Sequence, residues 1–232
     1  MRSGPGRIIP AVERDAAAGT ADRAASGRPG GDSFDRARAL ALSDGIFAFA
    51  LTLLVLSISV PVLKDASSNS DLAQALSERS GELVSWLISF VVIGKFWIRH
   101  NAFLRRVVRV NGTFLGINLV FLALIAFIPY PTELLGQYGN AVALALYAVV
   151  VAMLIGANAL VAEYALTHAL TDDAESPGER RRRLADSLIP AAFFLASVPV
   201  AFLAGMVPAY LCWLALWPFS AIVDRARRPK DS

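Results

Sequence analysis

The sequence predicts an all-α integral membrane protein with six transmembrane helices per subunit. Hydrophobic residues make up 56% of its 232 residues and charged residues only 18%, a composition too apolar for a soluble domain of this size. The apolar residues form runs long enough for a helix to cross a hydrocarbon core of about 30 Å. Basic residues cluster between these runs, as orientation signals do, and this pattern does not favour a nucleic-acid partner.

The chain divides into one membrane domain and two tails. Residues 1–34 are rich in Gly, Ala, Arg, Pro and Asp without a sustained apolar period, which predicts a disordered cytoplasmic tail. Residues 35–224 hold all six predicted spans. Residues 225–232 form a second, short cytoplasmic tail.

The first predicted helix begins near Phe34 and ends near Leu63. Its first turns carry Arg38, Ser43 and Asp44, although an ionisable group at membrane depth costs on the order of 3 kcal/mol. Acidic residues inside membranes usually face the interior of a helix bundle, so we expect Asp44 to have a partner rather than to act as a local cap. Arg38 is equally well explained by a side chain that extends to the lipid headgroups.

The later apolar runs predict five further helices. A polar loop at 64–80, with a short amphipathic turn at about 72–76, separates the first two helices. The third run is predicted to stop at the PYPT sequence, because prolines end a helix, and the GMVP sequence at 205–208 divides the last run in two. The predicted spans are residues 81–104, 113–130, 140–170 and two helices within 184–223.

The distribution of basic residues predicts the orientation. Only Lys64 and Arg79 of the 22 Lys and Arg residues fall on one side of the six-span arrangement, and the remaining 20 fall on the other. Cytoplasmic segments carry the excess of basic residues in membrane proteins. Both termini are therefore predicted to be cytoplasmic, in a multi-pass protein of the cell membrane.

No pattern in the sequence indicates soluble-enzyme chemistry. His100 and His168 have no cysteine or carboxylate cluster at ligand spacing, and neither a glycine-rich phosphate loop nor a nucleophile elbow occurs. Cys212 lies in an apolar run and is interpreted as a small hydrophobic residue. We expect neither an enzyme nor a bound cofactor.

Two features of the membrane helices are candidate functional elements. The second helix runs antiparallel to the first, so His100 and Trp97 reach a similar depth to Asp44, which predicts a contact of His100 with Asp44 or Ser43. In helix one, an apolar face repeats at i, i+3, i+4 and i+7. Its members are Gly45, Phe49, Thr52, Leu53 and Leu56. On spacing alone, such a stripe is usually a packing surface.

These residues resemble the transmembrane protein 175 family of potassium channels, over about residues 36–135. The positions that correspond to the family motifs are Arg38, Leu42, Ser43, Asp44 and Gly45 in helix one, Ser89, Phe90, Trp97 and His100 in helix two, Asn118 in helix three and the Pro129–Thr132 run. Leu42 departs from the family motif, which has phenylalanine there, and Asn101 replaces a frequent second histidine.

The resemblance implies a passive potassium-permeable cation channel in a bacterial plasma membrane. Its fold would be a potassium-channel fold without a carbonyl selectivity filter, assembled as a homotetramer with four copies of helix one around the path of potassium and other monovalent cations. Carried over, the main constriction falls on Phe49, further apolar layers on Leu53 and Leu56, and a threonine layer on Thr52. Phe49 departs from the branched aliphatic residue of the family.

Two other functions remain open at this point. In a proton-coupled secondary transporter Asp44 and His100 would titrate during the cycle, although the sequence has no internal repeat or matched broken helices. A non-conducting membrane scaffold is the other alternative, and the phenylalanine at position 49 keeps it open.

The orientation is tested with single cysteines in a chain carrying Cys212→Ser. Cysteines at Ser3 and Ser232 should be protected from an impermeant thiol reagent in intact cells, because both tails are expected in the cytoplasm, and a cysteine at Ser68 should react. Labelling of either terminus from outside would contradict the six-span arrangement.

Overall fold

The computed structural model describes residues 29–63, 68–172 and 175–215, and these form a bundle of α-helices. The helices are α1 (Pro29–Leu53), α2 (Asn69–Glu78), α3 (Ser80–Leu104), α4 (Gly112–Phe127), α5 (Pro129–Tyr138), α6 (Ala141–Thr167), α7 (Pro177–Ala204) and α8 (Met206–Ala215). A 3-10 turn, Leu54–Ser57, follows α1.

Five stretches of the described chain are long and apolar enough to cross a membrane. They are Arg36–Ser57, Ser80–Leu104, Gly112–Tyr138, Ala141–Thr167 and Pro177–Ala204. The predicted sixth helix is described only over α8, after a break at Gly205, where φ is 93°. Its remainder, residues 1–28 of the predicted first tail and the predicted tail at 225–232 lie outside the described residues, so the count of six remains a prediction.

The first helix differs from its predicted limits at both ends. It begins at Pro29 instead of near Phe34, and the α-helix ends at Leu53 instead of near Leu63. After the 3-10 turn the backbone becomes extended at Ile58, with φ −99° and ψ 110°. Pro61 disfavours helical geometry at the residue before it, and the Ser57 hydroxyl donates to the Leu54 carbonyl at 2.7 Å. The predicted limit near Leu63 was too late because the apolar sequence continues beyond the end of the α-helix at Leu53.

The chain stays helical through the PYPT sequence, which corrects the predicted stop of the third span there: α4 ends at Phe127 and α5 begins at Pro129. Ile128 keeps helical angles between α4 and α5, with φ −53° and ψ −38°. Pro129 and Pro131 lie in the first turn of α5, where the backbone N–H groups have no intrahelical acceptor and a proline therefore loses nothing. The turn comes later, at Gly139, whose φ of 54° is left-handed.

Most other sequence-based limits agree with the structure, but α7 begins at Pro177 and not at the predicted 184, because Ser176 caps the helix and a proline is compatible with its first turn. The predicted amphipathic turn at 72–76 lies in α2, which Ser68 caps by accepting from the Asp71 N–H at 3.2 Å. The second and fourth spans match α3 and α6 to within a few residues. The break predicted at 205–208 occurs at Gly205.

A buried hydroxyl network joins three helices in the bundle. Ser89 of α3 and Thr132 of α5 have their hydroxyl oxygens 2.7 Å apart, and Ser89 also bonds to the Tyr147 hydroxyl of α6 at 3.0 Å. All three side chains are buried. Because lipid offers no competing hydrogen-bond partners, such contacts hold transmembrane helices together.

Candidate functional site

The candidate site lies along α1, which is buried on one side only. Its buried side packs against α3 and α4, and α1 is thereby fixed in rotation about its own axis. The buried residues of α1 and its 3-10 turn are Ala39, Ser43, Phe47, Ala50, Leu54 and Ser57. Four of these six are alanine or serine, and small residues let neighbouring helices approach closely in a membrane.

Asp44 is bound to α3, as its membrane position predicted, but through other residues than His100. Its Oδ1 accepts from Trp97 Nε1 at 2.9 Å and from Asn101 Nδ2 at 2.9 Å. Arg105 Nε in turn donates to Asn101 Oδ1 at 2.9 Å. The predicted contact between His100 and Asp44 is therefore wrong, and Asn101 takes the place assigned to His100.

The reason is the angular position on α3. Trp97 and Asn101 are four residues apart and share one face of the helix, whereas His100 lies about 100° round the helix from Asn101. Ser43 does not bridge the helices either, since its hydroxyl donates to the Ala39 carbonyl of its own helix at 2.8 Å. Depth alone did not decide which donor reaches Asp44, but the i, i+4 pair of donors was a usable signal.

His100 instead lies in an aromatic layer of the core and is only 1% exposed. Its ring centroid is 4.6 Å from that of Phe121 and 6.0 Å from that of Phe47. The polar groups that face the ring are the amides of Asn118 and Asn158, but neither ring nitrogen forms a hydrogen bond of good geometry in the described chain. His100 and Asn118 therefore come together, as their place in the predicted network implied, while Asn158 was not foreseen.

Arg36, a basic residue near the start of α1, joins this helix to the loops that follow α3 and α6. Its Nη1 donates to the Val107 carbonyl at 3.3 Å, and Val107 forms a β-bridge with Thr171. Arg38, which the sequence singled out, is exposed. Arg36 has no spacing signal that distinguishes it, because its acceptor is a backbone carbonyl in a distant loop.

The apolar face predicted on α1 is the side that the described chain leaves uncovered. Phe49 is 61% exposed and Leu56 is 74% exposed; Thr52 is also exposed and Leu53 is half-buried. Nothing lies within 4 Å of a Cβ placed on Gly45. The Thr52 hydroxyl donates to the Phe49 carbonyl at 2.8 Å, so its oxygen remains able to accept a further contact.

Charged residues of α6 and α7 pair with one another away from this face. Glu163 binds both Arg180 and Arg183, the second at 2.5 Å, and Arg183 also binds Glu175 at 2.9 Å. His168 stacks on Tyr164 with ring centroids 4.0 Å apart. This cluster joins the ends of the two helices.

The part of the chain that contains these residues of α1, α3 and α4 matches a known protein family. The family model described as endosomal/lysosomal potassium channel TMEM175 matches residues 38–129, from α1 to the start of α5. A potassium channel of Streptomyces collinus is 35% identical over 154 residues, which is 63% of this chain and 73% of that protein. A potassium channel of Chamaesiphon minutus is 39% identical over 98 residues, 42% of this chain and 48% of that protein.

A solved structure is similar over almost its whole length. It is the crystal structure of a lysosomal potassium-selective channel TMEM175 homolog from Chamaesiphon minutus. The TM-score is 0.68 at 25% identity, and the similarity covers 84% of this chain and 99% of that one.

The contacts of Asp44 predict a measurable loss of stability. Asp44→Ala leaves the Trp97 and Asn101 donors without their acceptor, and hydrogen bonds to a charged group contribute about 1–3 kcal/mol. We expect a lower thermal stability of the purified protein in mild detergent than for Asp71→Ala, which removes an exposed aspartate of α2.

Trp97→Phe separates this contact from a general effect of the lost charge. In the Trp97→Phe background, Asp44→Ala should cost less than in the wild type, because one of its two donors is already gone. Equal, small effects of Asp44→Ala and Asp71→Ala would mean that Asp44 contributes nothing as an acceptor.

Proposed function

This chain belongs to the TMEM175 family, and from that membership we propose that it forms a passive, potassium-permeable cation channel. The channel is a homotetramer, with four copies of α1 around a central pore that bulky apolar side chains constrict. The observation that carries the proposal is the uncovered side of α1, where Phe49, Thr52 and Leu56 are exposed on a helix whose other side is buried.

The uncovered side has two parts with different chemistry, which supports an assembly around an axis. One part is a row of small residues, Ala41, Gly45 and Ala48, all exposed. The other carries Phe49, about 100° round the helix from Ala48. In a ring of parallel helices the small row lets the backbone of a neighbouring copy approach, and the bulky residues then face the axis.

Selectivity in this pore rests on side chains. The sequence contains no TVGYG-like run that would supply a filter of backbone carbonyls. A narrow apolar ring conducts only when it is wet, and an ion passes it by giving up part of its hydration water. Potassium holds its water less tightly than sodium, so a ring of Phe49 side chains favours potassium. The Thr52 oxygen one turn further along offers a polar contact beyond the ring.

The Asp44 contacts determine which side of α1 faces the axis. The Phe49 ring needs a fixed rotation of α1, since a turn of about 100° would replace Phe49 by Ala48 or Ala50. Asp44 lies about one and a half turns before Phe49 and is held by Trp97 and Asn101 of α3. It therefore positions the pore-lining side without lining the pore.

The channel lies in a bilayer, and we place it in the bacterial plasma membrane with both termini in the cytoplasm. The bias of basic residues supports this orientation. Arg180 and Arg183 bind acidic residues at the end of the bundle that this bias assigns to the cytoplasm. The proposed channel includes no bound cofactor, and its ligand is the permeating ion.

Reconstituted flux tests the proposal directly. Purified protein in liposomes with a potassium gradient should pass potassium passively, and its mass in mild detergent should be that of a tetramer. A flux that requires a proton gradient and saturates with potassium would favour the proton-coupled transporter instead. Absence of any flux from a properly assembled protein would favour the non-conducting scaffold.

Phe49→Ala tests the constriction itself. Removing four phenyl rings from one layer should raise cation flux and lower the preference for potassium over sodium, because ions then pass with more of their water. The measurement is the potassium-to-sodium permeability ratio from ion-replacement currents in planar bilayers.

Phe202→Ala is the matched control for this variant. Phe202 lies on α7 and is 59% exposed, almost the same as Phe49, but no part of the proposed pore contains it. Its replacement should leave the permeability ratio unchanged. A ratio that stays at the wild-type value for both variants would remove Phe49 from the pore.

A further inference from the structure

A buried carboxylate at the far end of α1 from Asp44 has no role in the function described so far. Glu82 lies in the first turn of α3 and is only 6% exposed. Its Oε2 accepts from the Ser59 N–H at 2.6 Å, and its Oε1 is 3.5 Å from Arg79 Nη1. The positive end of the α3 dipole adds to the attraction of the carboxylate at this position.

The Ser59 N–H belongs to the chain that leaves α1. The 3-10 turn Leu54–Ser57 and Ile58 separate it from the α-helix. An extended segment has no helical hydrogen bonds of its own, so its position depends on contacts with neighbouring elements. Glu82 supplies such a contact three residues after Leu56, which is exposed on the pore side of the turn.

Close packing of α5 holds Glu82 in place. A Cβ on Gly136 would lie 2.9 Å from the Glu82 Cα and 2.6 Å from the Ser85 Oγ, both closer than real contacts allow. The absence of a side chain at position 136 thus lets α5 lie directly on the first turn of α3. Ser85 is itself fixed, since its hydroxyl donates to the Glu82 carbonyl at 3.0 Å. The backbone that carries the Glu82 carboxylate is therefore fixed where the carboxylate binds Ser59.

We propose that Glu82 is a positioning residue of the channel, which through the Ser59 N–H fixes the outer end of α1 and with it the apolar layer at Leu56. This inference rests on the proposed function, because it assigns Glu82 to the geometry of the α1 pore. With Asp44 near one end of the pore-lining stretch and Glu82 at the other, both ends are bound to the same helix, α3. Neither residue contacts the permeating ion.

Ion flux through the full-length protein in liposomes tests the role of Glu82. We expect Glu82→Ala to lower the potassium-to-sodium ratio several-fold in an assembly of unchanged mass, because the turn that carries Leu56 is no longer held. Glu82→Gln retains an oxygen that can accept from Ser59 and should keep part of the ratio. Glu78→Gln is the matched control, since Glu78 is exposed and binds Gln74 within α2; its ratio should equal that of the wild type.

Ser59→Pro tests the same contact from the other side. Proline removes the Ser59 N–H that Glu82 binds, and Ile58, which would precede the new proline, already has the extended angles that such a residue prefers. The ratio should fall as it does for Glu82→Ala, and the double variant should be no worse than Glu82→Ala alone, because both changes break one contact. If Glu82→Ala does not assemble, the ratio of Ser59→Pro decides.

The outcomes separate the two levels of the proposal. A wild-type protein that passes no potassium overturns the proposed function, and the role of Glu82 falls with it. A wild type that conducts, together with Glu82→Ala and Ser59→Pro proteins that lose thermal stability but keep the wild-type ratio, overturns the positioning role alone. Additive losses of the ratio in the double variant would also contradict it.

Discussion

The fold depends on the one-sided burial of α1. Its buried side is narrow and made largely of small residues, such as Ala39, Ser43 and Ala50, which bring α3 and α4 close to the helix backbone. Inside a membrane, association of helices depends on such close packing, because lipid tails are as apolar as the side chains they would replace. The opposite side of α1 is then necessarily left for lipid or for another copy of the chain. The exposed Gly45 and Ala48 on that side favour another copy, because small residues let helices approach closely, and lipid offers no comparable contact.

Packing fixes the separation of the helices, but polar contacts fix their rotation. An apolar interface tolerates small rotations, since dispersion contacts have little direction, whereas a hydrogen bond to a carboxylate requires a defined distance and angle. Asp44 binds two donors on α3, and Glu82 of α3 binds the chain that leaves α1. In the first contact the acidic residue belongs to α1 and the donors to α3, and in the second the acidic residue belongs to α3 and the donor to the chain after α1. Together they restrain α1 against rotation and against sliding along α3.

Much of this arrangement follows from the sequence, but the directions of side chains do not. Hydropathy gives the positions of the spans, since it depends only on the local composition of the chain. The partner of Asp44 depends on the rotation of α3 about its axis. His100 and Asn101 differ by about 100° in direction, and this difference decides that Asn101 and not His100 reaches Asp44. The PYPT run was misread for a related reason: a proline is destabilising inside a helix but not in its first turn, and composition does not reveal which applies. Glu82 gave no signal, because its partner is a backbone N–H.

The early end of α1 also changes the direction in which Leu56 lies. In a continuous α-helix Leu56 would lie about 20° from the direction of Phe49, as a seven-residue spacing gives. In a 3-10 turn, residues three apart eclipse one another, so Leu56 comes to lie above Leu53 and Ser57 above Leu54. Burial agrees with this stacking. Leu54 and Ser57, which lie above one another, are both buried, and Thr52 and Val55, which also lie above one another, are both exposed. Leu56 is thus displaced round the helix axis relative to Phe49. Its position is set by the turn and by the contact that holds the turn, and no longer by the helical repeat.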